Sequence, residues 1–186
     1  MSTATKLMTA EEFIASEFDQ GYYELFRGEI VEAPMPNPEH GLICINSGFA
    51  LESFGRRTSH GYALTNDTSI QTERGPDTIR GADISYFSEA RWPRARARVE
   101  RGVPPVPPDL VIEVYPPSNR PGEMRRKILE YLDAGVLMVW LVHPEKQTVT
   151  VYRLDEPGPT VFTHADTLEN LPELPGFTCP VAELFR

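Results

Sequence analysis

The sequence predicts a mixed α/β or α+β fold: one central sheet packed by helices, opened by an N-terminal hairpin. Three observations lead there. Strand-like segments alternate with segments of helical spacing. The apolar run Val136 to Val142 has the pattern of a central strand covered on both faces. A glycine-marked hairpin precedes the first long helical pattern. The 186 residues suit one domain, and no internal repeat is evident.

Thr9-Ala10-Glu11-Glu12 has the form of a capping box, so a short helix through Phe13 and Ile14 should follow. Tyr22 to Phe26 and Glu29 to Ala33 read as two strands joined at Arg27-Gly28. Pro34, Pro36 and Pro38 then break regular structure. Leu42, Ile45, Phe49 and Phe54 recur at three- and four-residue spacings, which predicts a helix from His40 to Phe54. Tyr62 to Thr72 reads as a strand, Gly75-Pro76-Asp77 as a turn and Ala82 to Phe87 as a short strand. Residues 88–108 read as an irregular excursion, rich in Arg and then in Pro.

Asp109 to Tyr115 is a strongly apolar strand. Pro116, Pro117 and Pro121 frame a helix over Pro121–Ala134, with Gly135 at its C-cap. That helix should cross over between Asp109–Tyr115 and Val136–Val142 as parallel neighbours in the sheet's middle, with Leu137 to Leu141 buried. Thr148 to Leu154 is a further strand, and the tail ends in a helical turn at Val181 to Leu184.

A net charge of −9 argues against coating nucleic acid by bulk electrostatics, but is compatible with an acidic site that binds a divalent cation. Arg91, Arg94, Arg96, Arg98 and Arg101 form one basic run and Arg120, Arg125, Arg126 and Lys127 another; solvated faces are the simplest account of both. No apolar run approaches the roughly 20 residues of a membrane span, and the first residues lack the apolar stretch of a secretory signal. Cys44 and Cys179 lie far apart and suggest neither a disulfide framework nor a zinc site. A cytoplasmic protein without membrane partners is the expectation.

Glu113 interrupts an apolar strand, on the face shared by Asp109, Val111 and Tyr115. A carboxylate there needs a partner, a proton or a metal; a buried Glu satisfied by Arg or Lys is the structural alternative. On the following helix Lys127 falls about 60° from Met124, at the border of the face carrying Met124, Ile128 and Tyr131. From there its stem can lie on apolar surface and its ammonium can run along the sheet. Arg125 and Arg126 fall on the outer side.

The segments Pro108-Asp109-Leu110-Val111-Ile112-Glu113-Val114, Ser118-Asn119-Arg120, Lys127-Ile128-Leu129-Glu130-Tyr131-Leu132-Asp133-Ala134-Gly135-Val136 and Val139-Trp140-Leu141-Val142 resemble the signature of the Uma2 proteins, of the restriction-endonuclease-like PD-(D/E)XK superfamily. Tyr23-Glu24-Leu25, Gly28-Glu29-Ile30-Val31, His40, Gly81-Ala82-Asp83-Ile84-Ser85, Leu174-Pro175-Gly176-Phe177 and Leu184-Phe185 extend the likeness over nearly the whole chain.

The resemblance implies a restriction-endonuclease-like mixed sheet flanked by helices, and a Mg²⁺- or Mn²⁺-dependent endonuclease acting on DNA. Asp83 and Glu113 would be the metal-binding acids, with the backbone carbonyl of Val114 as a further ligand. The superfamily's lysine usually stands two residues after the second acid, where this chain has Tyr115. In Uma2-like proteins it moves to the next helix, which matches Lys127. Glu24 matches an acidic position that either completes the site or caps the hairpin. His40 would act as a base or phosphate contact, and Tyr115 would hydrogen-bond a phosphate or crowd the site. Ala82 replaces the usual proline before Asp83, and His143 an aspartate before Pro144. Related nucleases pair to cut two strands, so a homodimer is expected. The alternative from another class is a nucleic-acid- or partner-binding protein that keeps the fold and cleaves nothing. A glycosidase using paired carboxylates would leave Lys127 unexplained.

Overall fold

In a computed structural model, residues 6–20, 22–96, 103–115 and 121–186 are described. Arg98, Arg101, Pro116, Pro117, Ser118, Asn119 and Arg120 lie outside them.

The capping box forms. Thr9 accepts from the Glu12 amide and the Glu12 side chain accepts from Thr9, opening α1 (Ala10–Ile14). The hairpin follows as β1 (Tyr23–Phe26) and β2 (Glu29–Glu32). Both turn residues have positive φ, Arg27 at 50° and Gly28 at 80°, the geometry that matches strand twist in a two-residue loop. Asn37 caps α2 (Pro38–Thr58), with Pro38 in its first turn.

The apolar residues whose spacing predicts α2 do not all face the sheet. Leu42, Ile45 and Phe49 are exposed, while Ile43, Ser47, Gly48, Leu51, Phe54 and Gly55 face the sheet. Small residues decide this. A Cβ on Gly55 would stand 2.2 Å from the Gly61 carbonyl oxygen, so backbone-to-backbone approach selects the Gly-bearing face.

β3 (Gly61–Glu73) and β4 (Thr78–Ser88) form a long antiparallel pair, so the predicted short strand at Ala82 is the middle of a longer one. Their register shifts between Thr65 and Thr68, where Asn66 and Asp67 bulge out with φ of 65° and 51°. The excursion after β4 contains α3 (Trp92–Arg96), whose Trp92 stacks on Tyr62 at 4.8 Å between ring centroids. Arg91 is not a solvated cation. It pairs with Asp109 and donates to the carbonyls of Pro107, Pro108 and Gly135, tying the excursion to the sheet.

β5 (Leu110–Val114), α4 (Pro121–Asp133) and β6 (Met138–His143) make the expected crossover, with β5 and β6 parallel from Leu110–Met138 to Val114–Val142. Leu137 is a correction. It precedes β6 and is 43% exposed, whereas Met138 through Val142 are buried. β7 (Thr148–Tyr152) and β8 (Thr160–Thr163) extend the sheet to the order β2-β1-β4-β5-β6-β7-β8, with β3 alongside β4. A two-stranded ribbon, β9 (Thr167–Leu168) with β10 (Cys179–Pro180), and a 3₁₀ turn over Val181–Phe185 complete the chain. The result is a mixed α+β architecture, a mostly antiparallel sheet between helices.

Two apolar layers hold it. On one face α2 and the C-terminal segment cover Ile84, Ile112 and Trp140. On the other, Met124, Ile128, Tyr131 and Leu132 of α4 cover Val111, Val139 and Leu141. Among the described residues no helix is long and apolar enough to cross a membrane.

Candidate active site

The site lies where the ladder between β4 and β5 gives out. Pairing runs from Tyr86–Leu110 to Ile84–Ile112 and stops there. One residue further on, Asp83 Oδ2 accepts from the Val114 amide at 2.7 Å, so a side-chain carboxylate takes the place of a ladder carbonyl. The kink is visible in the packing too. Ala82 belongs to the α4 layer and Ile84 to the α2 layer, although the two are a strand period apart. The bulge at Asn66-Asp67 sits opposite this kink, between the Thr65–Ile84 and Thr68–Ala82 pairs.

A cavity of about 360 Å³ opens at the gap. Glu24, His40, Asp83, Glu113, Tyr115 and Lys127, the residues to which the sequence pointed, all line it, as does Val114. A larger cavity of about 770 Å³ lies beyond Tyr115, but it lacks Glu24, Asp83, Glu113 and Lys127.

Lys127 reaches the cavity from α4. Its ammonium lies 3.0 Å from Glu113 Oε2, 3.0 Å from Glu24 Oε1 and 3.0 Å from the Gly81 carbonyl oxygen. The Tyr131 hydroxyl donates to Glu113 Oε1 at 2.7 Å. Glu24 comes from β1 and also accepts from Arg80 at 2.7 Å and from the Gly81 amide at 3.1 Å, so its carboxylate faces β4 and the cavity. Buried Arg80 bridges Glu24 to Glu130 of α4. His40 Nε2, in the first turn of α2, stands 3.1 Å from Asp83 Oδ2. Tyr115 stacks on His143, ring centroids 4.8 Å apart.

Burial pushes the Glu113 carboxyl up to about 8, and Asp83 and Glu24 add to this although Lys127 opposes it. Burial would lower Lys127, yet Glu113, Glu24 and Asp83 outweigh it and hold the side chain as an ammonium well above its ordinary range. Glu24 ends below the usual carboxylate range; burial works against this, and Lys127 and Arg80 prevail. The hydrogen bond to Asp83 raises His40. Asp67, at the cavity rim, is raised by partial burial and then by Asp83.

Three residues in this constellation escaped the sequence reading. Tyr131 was placed on the core face of its helix, yet its hydroxyl serves Glu113. Nothing marked Arg80 beside the Gly81-Ala82-Asp83 segment. Asp67 had a signal, since Asn-Asp in mid-strand suits a positive-φ bulge, and bulges gather beside active sites.

The carboxylates at this cavity are donors of the type that a hard divalent cation takes. Glu24, Asp67, Asp83 and Glu113 line one cavity, with Glu32, Glu39 and Glu123 also on its wall, against Lys127, Arg80, Arg126 and His40. Burial is the main reason that Glu113 is raised, with Asp83 and Glu24 adding to it. Carboxylate oxygens suit Mg²⁺ or Mn²⁺.

Acids from β1, β4 and β5 and the lysine of α4 thus meet where the β4–β5 ladder ends. The model of the Uma2 family, described as "Putative restriction endonuclease", matches residues 10–182, and the chain belongs to that family. Its fold is similar to the crystal structure of a "putative nuclease" belonging to DUF820 from Anabaena variabilis, with a TM-score of 0.79 and 25% identity over 96% of this chain and 97% of the other. No curated protein matches the chain.

Proposed function

We propose that this chain is a Mg²⁺- or Mn²⁺-dependent endonuclease that hydrolyses phosphodiester bonds of DNA, acting in the cytoplasm as one domain that pairs into a homodimer. The observation that carries the reading is the Lys127 ammonium, 3.0 Å from Glu113, delivered by a helix while Tyr115 occupies the strand position the superfamily gives to lysine.

Asp83, Glu113 and the Val114 carbonyl would hold the ion, with Asp67 and Glu24 beside them. A bound divalent ion supplies Lewis acidity at the phosphoryl oxygen and a water of lowered pKa. Lys127, already fixed by Glu113 and Glu24, places positive charge where the phosphoryl oxygens gain negative charge, without reorganising during the reaction. Tyr131 orients Glu113 through its second oxygen. His40 orients Asp83 and, protonated, offsets the acids when the cavity holds a phosphate.

The test is cleavage of plasmid and single-stranded DNA with Mn²⁺ by wild type, Lys127→Ala and Lys127→Arg, with light scattering for the oligomer. Lys127→Ala should lose about 10²-fold or more in rate, the scale of one preorganised electrostatic stabiliser. Lys127→Arg should recover little, because a planar fork does not replace a compact ammonium. Undiminished cleavage by Lys127→Ala would reject the mechanism. Absence of wild-type cleavage on every substrate would favour a binding protein on the same fold.

A further inference from the structure

Beside the carboxylates lies a group of different chemistry. His40 and Cys44 are four residues apart on α2 and so share a face. Cys44 Sγ lies 3.5 Å from His40 Nδ1, and His40 Nε2 lies 3.1 Å from Asp83 Oδ2. One ligand atom from each of His40, Cys44 and Asp83 falls within 4.8 Å of the other two, and all three residues are partly buried. Tetrahedral zinc, with bonds of about 2.0–2.3 Å, needs its ligand atoms about 3.3–3.8 Å apart, about 1–1.5 Å closer than the widest separation here.

We propose that His40, Cys44 and Asp83 form a binding site for a thiophilic divalent ion, zinc above all, and that a filled site withdraws Asp83 from the carboxylate cavity. The wide separation of Cys44 and Cys179 in sequence suggested no zinc site. This one needs a single thiol, and its third ligand arrives from β4. Thiolate and imidazole favour zinc over the hard ions that an all-oxygen set prefers. Coordination expels the thiol proton, giving a thiolate–imidazole–carboxylate set with a fourth position for water. Asp83 is common to both sets, and its Oδ2 is already held by the Val114 amide. Zinc and Mn²⁺ would therefore compete for one carboxylate. This competition rests on the proposed nuclease site; the zinc site itself does not.

The test uses the metal-free, full-length protein and three ions. Co²⁺ should give a thiolate-to-cobalt charge-transfer band and tetrahedral d–d absorption at one equivalent, both abolished by Zn²⁺ and absent in Cys44→Ser. By calorimetry Cys44→Ser should lose zinc affinity by more than the about 10–100-fold that even an outer-sphere partner is worth, while Mn²⁺ affinity stays unchanged. His40→Gln should weaken zinc as well, and thermal melting of both variants checks that they fold. One equivalent of Zn²⁺ should release bound Mn²⁺, read by electron paramagnetic resonance, from wild type and not from Cys44→Ser. Cobalt bound without the thiolate band, or zinc affinity indifferent to Cys44→Ser, overturns the site. Zinc and Mn²⁺ bound together overturns the competition. A wild type that binds no Mn²⁺ refutes the competition and the nuclease reading together, and the cobalt spectrum then judges the zinc site separately.

Discussion

Glu113→Gln should make the protein more stable in mildly alkaline solution and less responsive to metal. The residue is 3% exposed, and its carboxyl is pushed from the ordinary 4.5 to about 8. Below pH 4.5 the group is protonated in both the folded and the unfolded chain. Between 4.5 and 8 the unfolded chain has ionised and the folded one has not, so unfolding releases a proton and stability falls as pH rises. The fall attributable to this group is about 3–5 kcal/mol over that window. Glutamine stays neutral throughout and can still accept from Lys127, so the fall should vanish. His40, raised first by its hydrogen bond to Asp83 and least by Glu113, gives a loss of the same sign in both proteins, so their difference is mainly that of Glu113. The assay is urea denaturation from pH 5 to 9 without metal, then with saturating Mn²⁺. The ion should restore about 2.7 kcal/mol to wild type at a hundred times its Kd and much less to the variant. Parallel pH profiles for the two proteins would show that the carboxyl ionises normally, and the electrostatic picture of the cavity would be wrong.

Arg80→Met should destabilise the fold by about 3–5 kcal/mol, since it strands Glu24 and Glu130 in the interior; a shift in urea midpoint worth less than about 1 kcal/mol would sink that account. Asp67→Asn should leave melting unchanged, because asparagine tolerates positive φ, and should weaken Mn²⁺ binding about tenfold in a calorimetric titration. Equal affinity would remove Asp67 from the site.

The elements that the sequence displayed clearly were those whose patterning has one physical cause. The capping box at Thr9, the Arg27-Gly28 turn and the β5–α4–β6 crossover each follow from local chemistry or from an unbroken apolar run. The buried face of α2 was not legible, because it depends on Ser47, Gly48 and Gly55, small residues that allow close approach and carry no hydrophobic signal. Leu137 was placed inside because an apolar run does not mark where a strand begins. Glu113 and Lys127 were legible as a polar break in an apolar strand and a lysine at a helical border. Arg80 and Tyr131 were not, since their roles arise from contacts between elements distant in sequence, and Asp67 showed only as an Asn-Asp pair in mid-strand.

That Lys127 rides on α4 while the acids ride on strands has a mechanical consequence. In a strand motif, covalent geometry sets the interval between acid and base. Here the interval is set by how deeply a helix seats on a sheet, with Met124, Ile128 and Leu132 resting on Val111, Val139 and Leu141. That apolar layer is a gauge block for the ammonium. Trimming a methylene from it, a change invisible to any comparison of charged residues, resets the tolerance of the machine and should register in turnover before it registers in folding.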